Sequence, residues 1–450
     1  MRLLTALLAL VLLASSAGAV EHPRVVKLDP PDLWGDADAK ATQRLTVTFD
    51  QPMSTSAFSW CGGGPGFPPF KPGQKPFWKD ARTCVVEVAL EPDRVYVLSL
   101  NCPGSLNFRS ARGMELAPMP WTFATLPEKP TDPKEQRKRN QKALDELVRI
   151  LEESYSYYEL RKLDWAKLWK AQSKAVLASK SDRGWASAAG KALEPTGDIH
   201  LGLRYGDDWF VPAGRRSVDP LFRDAQTRKK LAVLSPIERG FASGMTSDGI
   251  GYVLIATWSE ELDVRGLEEA LSKLRGSKAM VVDVRLNHGG DENLARGIAQ
   301  WFVEGTVVYS KNRIRTGKGK EGFSEVHERK VTGNSEPERR FDGPIAVLIG
   351  PFVMSSCESF VLMLEQAPDS TTVGVKTWGS SGNPRAHELS NGVIALVPRW
   401  EDQLPDGTIL EGRGIEPDVR VKVEPESLER DDPILEKGLE VLRKKLGEKK

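Results

Sequence analysis

The sequence has 450 residues, of which 40% are hydrophobic and 28% charged. This size and composition indicate a globular protein of two or three domains. The formal net charge of +1 leaves no basic excess to neutralise phosphates, so we expect no nucleic-acid partner. The 5 histidines show no H-E-x-x-H spacing, and we expect neither a metal nor an organic cofactor.

The amino terminus has the pattern of a secretory signal peptide. Met1 and Arg2 precede an apolar run over 3–14, and small residues follow up to Ala19. The run is shorter than the ~20 residues of a membrane span. We therefore predict a signal peptide over 1–19 and a periplasmic or extracellular protein with no integral membrane segment after cleavage. A retained signal anchor is the alternative.

An all-β module is predicted over 24–126, because β-type runs alternate there with turn residues. The predicted strands are 45–49, 84–90, 95–100 and 121–126. Proline cannot donate to a sheet ladder, so the Gly- and Pro-rich stretch 62–76 is predicted to be a loop. The segments TVTFDQPM, YVLSLN and WTFAT resemble those of bacterial immunoglobulin-like domains, which implies an immunoglobulin-like β-sandwich.

Three of the 4 cysteines lie in this module, namely Cys61, Cys84 and Cys102. Their spacing fits no metal site. Export permits one disulfide among them. Our expected pair is Cys84 with Cys102, although the spacing leaves the pairing open.

A linker and a helical region follow the β module. Pro127, Pro130 and Pro133 interrupt a polar stretch, which predicts a linker over 127–133. Apolar residues then recur at helical spacing over 144–151, and Asp164 precedes a second helical run. We predict a helical subdomain over 134–196.

Strands and helices alternate in the rest of the chain. The predicted strands are 251–256, 279–284 and 345–349, and the predicted helices lie near 267–274, over 291–302 and from near Ser356. Such alternation favours an α/β sheet with crossovers, in which ligands bind at the carboxyl ends of the strands. We predict an α/β core over 197–425 and a C-terminal helix with a Lys-rich tail over 426–450.

Two strand-to-helix turns carry candidate site residues. Ser355 follows the strand 345–349 and precedes a helix, whose free N–H groups favour developing negative charge. It is a candidate nucleophile, and a plain helix cap is the alternative. Gly289 and Gly290 precede Asp291 in the other turn, where backbone amides can approach a ligand closely. A plain capped turn is the alternative there.

Further candidates lie in two short segments. His200 belongs to GDIHLGL at 197–203, and a lone histidine there is either a base or a structural residue. Glu411 belongs to EGRGIEPD at 411–418 and is either functional or a loop carboxylate. Taken singly, neither segment identifies a site.

Together these segments resemble the tail-specific, or carboxyl-terminal-processing, serine protease family, and in particular its tricorn-like branch. The match covers roughly 134–423. It rests on six phrases in family order, which are GDIHLGL, IGYVLI, VVDVRLNHGG, SSCESF, VGVKTWG and EGRGIEPD. The resemblance implies a ClpP/crotonase-like α/β protease core and a peptide or protein substrate.

The resemblance also implies catalytic roles. Ser355 is the expected nucleophile, and the amides of Ser356 and of Gly289 or Gly290 are the expected oxyanion hole. The tricorn-like branch pairs its serine with a histidine and a glutamate, which correspond to His200 and Glu411. An imidazole has a pKa of about 6.5 and can act as the base, and a carboxylate on its other nitrogen fixes the tautomer. Glu416 and Asp198 are the rivals of Glu411.

The sequence departs from the family in two places. The lysine of the Ser–Lys branch is replaced by Ser380, and Lys376 is out of register. The stretch 206–249 is too short for the peptide-binding PDZ module of many members, which leaves substrate choice unassigned. Two alternatives to an acyl-transferring peptidase stay open: an inactive peptide- or lipid-binding protein of the same fold, and an esterase.

Overall fold

The computed structural model describes residues 22–32, 34–102, 104–210, 218–319 and 321–448, so the predicted signal peptide lies outside the described residues. The chain divides into two compact units. The first comprises the residues up to Gln136 together with Ser179–Ala188, and the second comprises Arg137–Ala178 and Ala189–Lys450. The predicted helical subdomain 134–196 is therefore shared between the units, and the predicted domain boundaries remain predictions.

The first unit contains two four-stranded sheets, with strand orders β1-β3-β6-β5 and β2-β8-β7-β4. Its strands are β1 (Val25–Asp29), β2 (Trp34–Ala37), β3 (Arg44–Phe49), β4 (Trp60–Cys61), β5 (Phe77–Asp80), β6 (Thr83–Glu87), β7 (Val95–Leu100) and β8 (Met119–Thr125). In β3, Leu45, Val47 and Phe49 are buried and alternate with less buried residues, as expected for a strand with one face on the core. The all-β prediction is confirmed at this level.

The disulfide of the first unit joins Cys61 to Cys102, whose Cα atoms are 6.2 Å apart. The expected pair of Cys84 and Cys102 is therefore wrong. Cys61 lies on β4, which pairs with the end of β7, and Cys102 follows β7 closely in the chain. Cys84 lies on β6 of the other sheet and is a buried free thiol in the apolar core.

Most of the helices of the described chain lie in the second unit. Some of them begin after an aspartate that caps their first turn. The helices of the described chain are α1 (Pro133–Ser154), α2 (Trp165–Leu177), α3 (Asp182–Ala192), α4 (Asp224–Lys229), α5 (Val264–Leu274), α6 (Glu292–Ala299), α7 (Ser356–Leu364), α8 (Pro425–Leu428) and α9 (Pro433–Glu448). Asp164 caps α2 through Lys167 N, as the sequence predicted, and Asp291 caps α6 through Asn293 N. No helix in the described part of the chain is long and apolar enough to cross a membrane.

A seven-stranded sheet with the order β11-β12-β13-β14-β17-β18-β22 forms the centre of the second unit. From β13 to β22 all neighbouring pairs are parallel. Its strands are β11 (Val233–Leu234), β12 (Phe241–Met245), β13 (Gly251–Ile255), β14 (Met280–Asp283), β17 (Ile345–Ile349), β18 (Ser370–Gly374) and β22 (Val419–Arg420). Apolar clusters cover both faces of this sheet, as expected for a parallel sheet. The predicted α/β core is confirmed.

Two smaller antiparallel sheets complete the second unit, with the orders β10-β9-β20-β19 and β16-β15-β21. Their strands are β9 (Gly202–Tyr205), β10 (Asp208–Phe210), β15 (Thr306–Ile314), β16 (His327–Thr332), β19 (Pro384–Glu388), β20 (Ile394–Pro398) and β21 (Trp400–Gln403). Residues 199–200 form a turn, and β9 begins after it at Gly202. His200 thus enters from a different sheet than Ser355.

Candidate active site

Three turns meet where neighbouring parallel strands end. Gly290 follows β14, Ser355 follows β17 and Ser380 follows β18, and these strands are adjacent in the order β14-β17-β18. The carboxyl ends of parallel strands share one edge of the sheet. The topology therefore gathers three polar turns at the position where α/β folds bind their ligands.

Ser355 has a strained backbone at the start of α7. Its φ is 57° and its ψ is −133°, which is rare for a residue with a Cβ atom. The residue is only half-buried, and its hydroxyl oxygen lies 3.2 Å from His200 Nε2. A serine that served merely as a helix cap would not need this backbone or this partner.

His200 is held at three points. Its Nε2 faces Ser355, and its Nδ1 lies 2.9 Å from the hydroxyl oxygen of Ser380. Its backbone N–H donates to Asp198 Oδ1 at 2.8 Å. If Nδ1 carries the proton and donates it to Ser380, Nε2 is free to accept the proton of Ser355.

The structure places Ser380 Oγ next to His200 Nδ1, at 2.9 Å, so the direct contact expected between Glu411 and His200 stays a prediction. Glu411 is buried, its Oε1 accepts from Arg161 Nη2 at 2.5 Å, and its Oε2 accepts from Ser381 N at 2.9 Å. Burial raises the pKa of Glu411, and the neighbouring Asp198 raises it further, while Arg161 lowers it. A buried carboxylate requires a compensating charge, and Arg161 provides one.

The two rivals of Glu411 have other roles in the structure. Asp198 holds the backbone of His200 and pairs with Arg161 Nη2 at 2.9 Å. Glu416 pairs with Arg420 and, at 3.7 Å, with Lys376. Lys376 is 40% exposed, so neither member of this pair is part of the buried network behind His200.

The glycine turn lies against the nucleophile. A Cβ atom on Gly289 would come within 2.8 Å of Ser355 Cβ, so only glycine fits at this position. The N–H of Gly289 donates to Asn287 Oδ1 at 2.8 Å, which removes it as an oxyanion donor. Of the three predicted donors, the amides of Gly290 and Ser356 therefore remain candidates, since N–H groups of a first helical turn lack intrahelical partners.

Glu358 is a site residue whose function the sequence did not reveal. Its carboxylate is buried and accepts from the backbone N–H of Ser355 at 3.2 Å, Ser380 at 3.0 Å and Gly379 at 2.8 Å, and from the hydroxyl of Thr377 at 2.5 Å. Burial raises the pKa of Glu358 to about 7, against the lowering effect of these hydrogen bonds. Glu358 thus joins the Ser355 turn to the Ser380 turn.

The sequence patterns that could have identified Glu358, Arg161 and Ser380 as site residues differ in strength. Glu358 stands three residues after Ser355, which is the spacing of a capping box and could have identified it. Arg161 and Ser380 had no local signal, because their partners lie far away in the chain. Among the described residues, no group of three or more His, Cys, Asp or Glu side chains could hold a metal ion.

A serine hydroxyl on an imidazole, beside free helix N–H groups, is the arrangement found in serine hydrolases. Residues 249–421 match the model of peptidase family S41. The chain is 28% identical to a carboxyl-terminal-processing protease of Synechocystis sp. over 42% of each chain. It is 27% identical to the carboxy-terminal processing protease CtpA of Bacillus subtilis, over 42% of this chain and 38% of the relative. The predicted family resemblance is confirmed for this part of the chain.

The chain spans about two fifths of the length of these curated relatives. Among solved structures, one of a candidate peptidase from Parabacteroides merdae matches with a TM-score of 0.59 and 23% identity, over 68% of this chain and 96% of that one. Mature CPAF matches with a TM-score of 0.51 and 12% identity, over 68% and 97%. These structural similarities support the fold.

Proposed function

We propose that the chain is an exported serine peptidase that cleaves peptide bonds through an acyl-enzyme on Ser355. The observation that carries the proposal is the 3.2 Å approach of His200 Nε2 to the hydroxyl of Ser355 at the start of α7. A serine hydroxyl is a weak nucleophile and requires such a base. The curated relatives to which this chain is similar are named as proteases, which favours a peptide bond as the bond that is cleaved.

In the first half of the reaction, Ser355 Oγ bonds to the substrate carbonyl carbon while its proton passes to His200 Nε2. The carbonyl oxygen becomes an oxyanion, which the amides of Gly290 and Ser356 can stabilise. The C–N bond then breaks, and the leaving amine takes the proton from His200. Ser355 is left as an ester of the acyl fragment.

In the second half, a water molecule attacks the ester and gives its proton to His200. The bond from the acyl carbon to Ser355 Oγ breaks, and Ser355 recovers the proton from His200. The base therefore acts twice, first as acceptor and then as donor, and it needs a fixed ring orientation throughout.

Ser380 supplies that orientation in a modified form of the expected Ser355/His200/Glu411 triad. Its hydroxyl oxygen accepts the Nδ1 proton of His200, so the neutral ring presents Nε2 to Ser355. Glu411 acts indirectly. Its carboxylate accepts hydrogen bonds from the backbone N–H of Ser381, the neighbour of Ser380, and from the side chain of Arg161. A neutral hydroxyl stabilises the imidazolium less than a carboxylate does, so we expect a slower base than in a standard triad.

Export is the second part of the proposal. The charged, apolar and small-residue pattern of residues 1–19 supports a cleavable signal peptide. The disulfide between Cys61 and Cys102 also supports an oxidising compartment. We propose the periplasm or the extracellular space, and peptides or proteins there as substrates.

The function is tested by hydrolysis of a mixture of natural peptides and of matched ester substrates. We expect the wild-type protein to cleave peptide bonds, and Ser355→Ala and His200→Ala each to lower the rate at least about a thousandfold. Cleavage of esters without peptides would indicate an esterase. Unchanged peptide hydrolysis by Ser355→Ala would refute the proposal.

A further inference from the structure

Arg161 lies at the centre of a buried network behind His200. It belongs to the turns that follow α1, and its side chain is 14% exposed. Its Nε donates to the Tyr155 hydroxyl at 2.8 Å. Its Nη2 donates to Asp198 Oδ2 at 2.9 Å and to Glu411 Oε1 at 2.5 Å. A single guanidinium therefore joins two carboxylates that lie far apart in the sequence.

Asp198 connects this network to the backbone of His200. Its side chain is fully buried. Its Oδ1 accepts from the backbone N–H of His200 at 2.8 Å, and its Oδ2 accepts from the Tyr155 hydroxyl at 2.8 Å as well as from Arg161. A buried carboxylate is strongly destabilised when its charged partner is removed. The position from which the His200 ring extends to Ser355 therefore depends on Arg161.

Glu411 connects the same network to the other side of the imidazole. Its side chain is 3% exposed, and its Oε2 accepts from Ser381 N at 2.9 Å. Ser381 follows Ser380, whose hydroxyl oxygen lies 2.9 Å from Nδ1 of His200. Burial and the neighbouring carboxylate both raise the pKa of Glu411, whereas the guanidinium lowers it. The charge of the guanidinium therefore holds both supports of the imidazole, namely its own backbone and its hydrogen-bond partner.

We infer that Arg161 is a positioning residue of the peptidase and fixes the imidazole of His200 from both sides. It acts through Asp198 and Glu411 and makes or breaks no covalent bond itself. This assignment rests on the proposed function, in which the imidazole is the base. Because the base is displaced and the substrate is not, loss of Arg161 should lower kcat with little change in KM.

The test compares kcat and KM of the full-length protein and of two variants on a peptide that the wild type cleaves. Rates are divided by the number of sites that a fluorophosphonate labels at completion, because this reagent reacts with an activated serine. Because a misplacement of about 1 Å can cost a hundredfold, Arg161→Met should lower kcat about 100-fold. Arg161→Lys keeps the charge but not the planar fork, so its kcat should lie about tenfold below that of the wild type.

A further substitution, Glu411→Gln, examines whether Arg161 and Glu411 act together. With Arg161 in place, the new amide has a single acceptor oxygen for two donors, so this variant should be slower than the wild type. Without Arg161, the amide oxygen can accept from Ser381 N and the amide nitrogen can donate to Asp198. The double variant Arg161→Met/Glu411→Gln should therefore be no slower than Arg161→Met, whereas independent effects would multiply.

Arg315→Met is the matched control. Arg315 is also buried, with 1% of its side chain exposed, and it pairs with Glu159 and donates to the carbonyl oxygen of Glu152 at 2.7 Å. These partners belong to α1 and to the turns that follow it, as Tyr155 does, but they do not support His200. We expect Arg315→Met to lower Tm and to leave kcat per labelled site unchanged.

The outcomes separate this inference from the proposed function. If the wild type cleaves peptides and folded Arg161→Met keeps its kcat, the inference alone fails. It also fails if Arg315→Met loses as much kcat, or if the double variant shows the product of the two single effects. Where Arg161→Met does not fold, Arg161→Lys decides, and a wild-type kcat then contradicts the inference. A wild type that neither cleaves peptides nor reacts with the fluorophosphonate refutes both.

Discussion

Each unit of the chain contains a residue other than glycine with a positive φ, and the two residues serve different ends. In the first unit, Asn101 has a φ of 60°, and its buried side chain donates to the carbonyls of Phe108 and Leu116 and accepts from the N–H of Phe108. In the second unit, Ser355 has a φ of 57° but directs its hydroxyl to His200 at the rim of a cavity. A positive φ therefore indicates a site only where the side chain is left available for chemistry.

Two buried carboxyl groups, one in each unit, show the same contrast between a structural and a functional role. Asp36 in the first unit accepts from Ser181 Oγ at 2.7 Å and from Lys180 N at 2.8 Å, and so joins β2 to the residues before α3. Glu358 in the second unit joins the two turns that carry Ser355 and Ser380. Burial raises the pKa of both carboxyls, so the shift alone does not distinguish structure from function. The partners do.

The substitution that tests this comparison most directly is Glu358→Gln, because it changes the carboxylate that joins the Ser355 and Ser380 turns. A glutamine amide nitrogen cannot accept, so it would face N–H donors that the carboxylate now binds, and the Ser355 and Ser380 turns should shift. Because a misplacement of about 1 Å can cost a hundredfold, we expect kcat/KM to fall about 100-fold. The measurement is the rate of peptide hydrolysis as a function of pH.

The pH profile separates positioning from a loss of folding. In the wild type, Glu358 takes up a proton as the pH falls through about 7 and weakens its hold on the turns. The variant should lack this contribution, so its rate should fall less steeply below pH 7. Full activity of Glu358→Gln at pH 8, with an unchanged profile, would contradict the positioning role.

A smaller effect is expected for Ser380→Ala, which removes the hydroxyl that faces His200 Nδ1. One lost hydrogen bond of about 1 kcal/mol corresponds to a five- to tenfold lower kcat with little change in KM. Ser380→Thr should restore most of the rate. Ser370→Ala is the control, because Ser370 begins β18, the strand that precedes Ser380, and its hydroxyl is buried without a partner among the described residues. Equal effects of both alanine variants would refute the role of Ser380.

The smallest effect concerns stability. Glu365 follows α7, and burial together with the nearby charge of Asp418 raises its pKa to about 7. A raised pKa in the folded state means that the stabilising contribution is present below the unfolded value of about 4.5 and is lost as the pH rises through about 7. Glu365→Gln should therefore raise Tm at pH 8.5 and change it little at pH 5. An equal shift at both pH values would contradict this.

Much of the architecture could be predicted because local patterns determine it. The strands β7 and β17 have the predicted bounds, and α7 begins at Ser356, near where it was predicted, since apolar runs and turn residues delimit these elements. Ser355 and His200 were found through short phrases around each residue, and the structure brings their side chains together.

What could not be predicted depends on contacts that are distant in sequence. Arg161 lies 250 residues before Glu411, and no local pattern shows that its guanidinium donates to that carboxylate. The predicted disulfide pairing was wrong for a related reason. The spacing of the cysteines does not reveal that Cys84 points into the core from the other sheet. Long-range pairing is decided by burial and sheet order, and these appear only in the fold.

The most direct test of the central claim is reaction of the protein with a fluorophosphonate probe, followed by peptide mapping. An activated serine reacts, whereas a serine that merely caps a helix does not. We predict a label on Ser355 in the wild type and none in Ser355→Ala or His200→Ala. A folded wild-type protein that stays unlabelled, or that carries the label at another residue, would contradict the account.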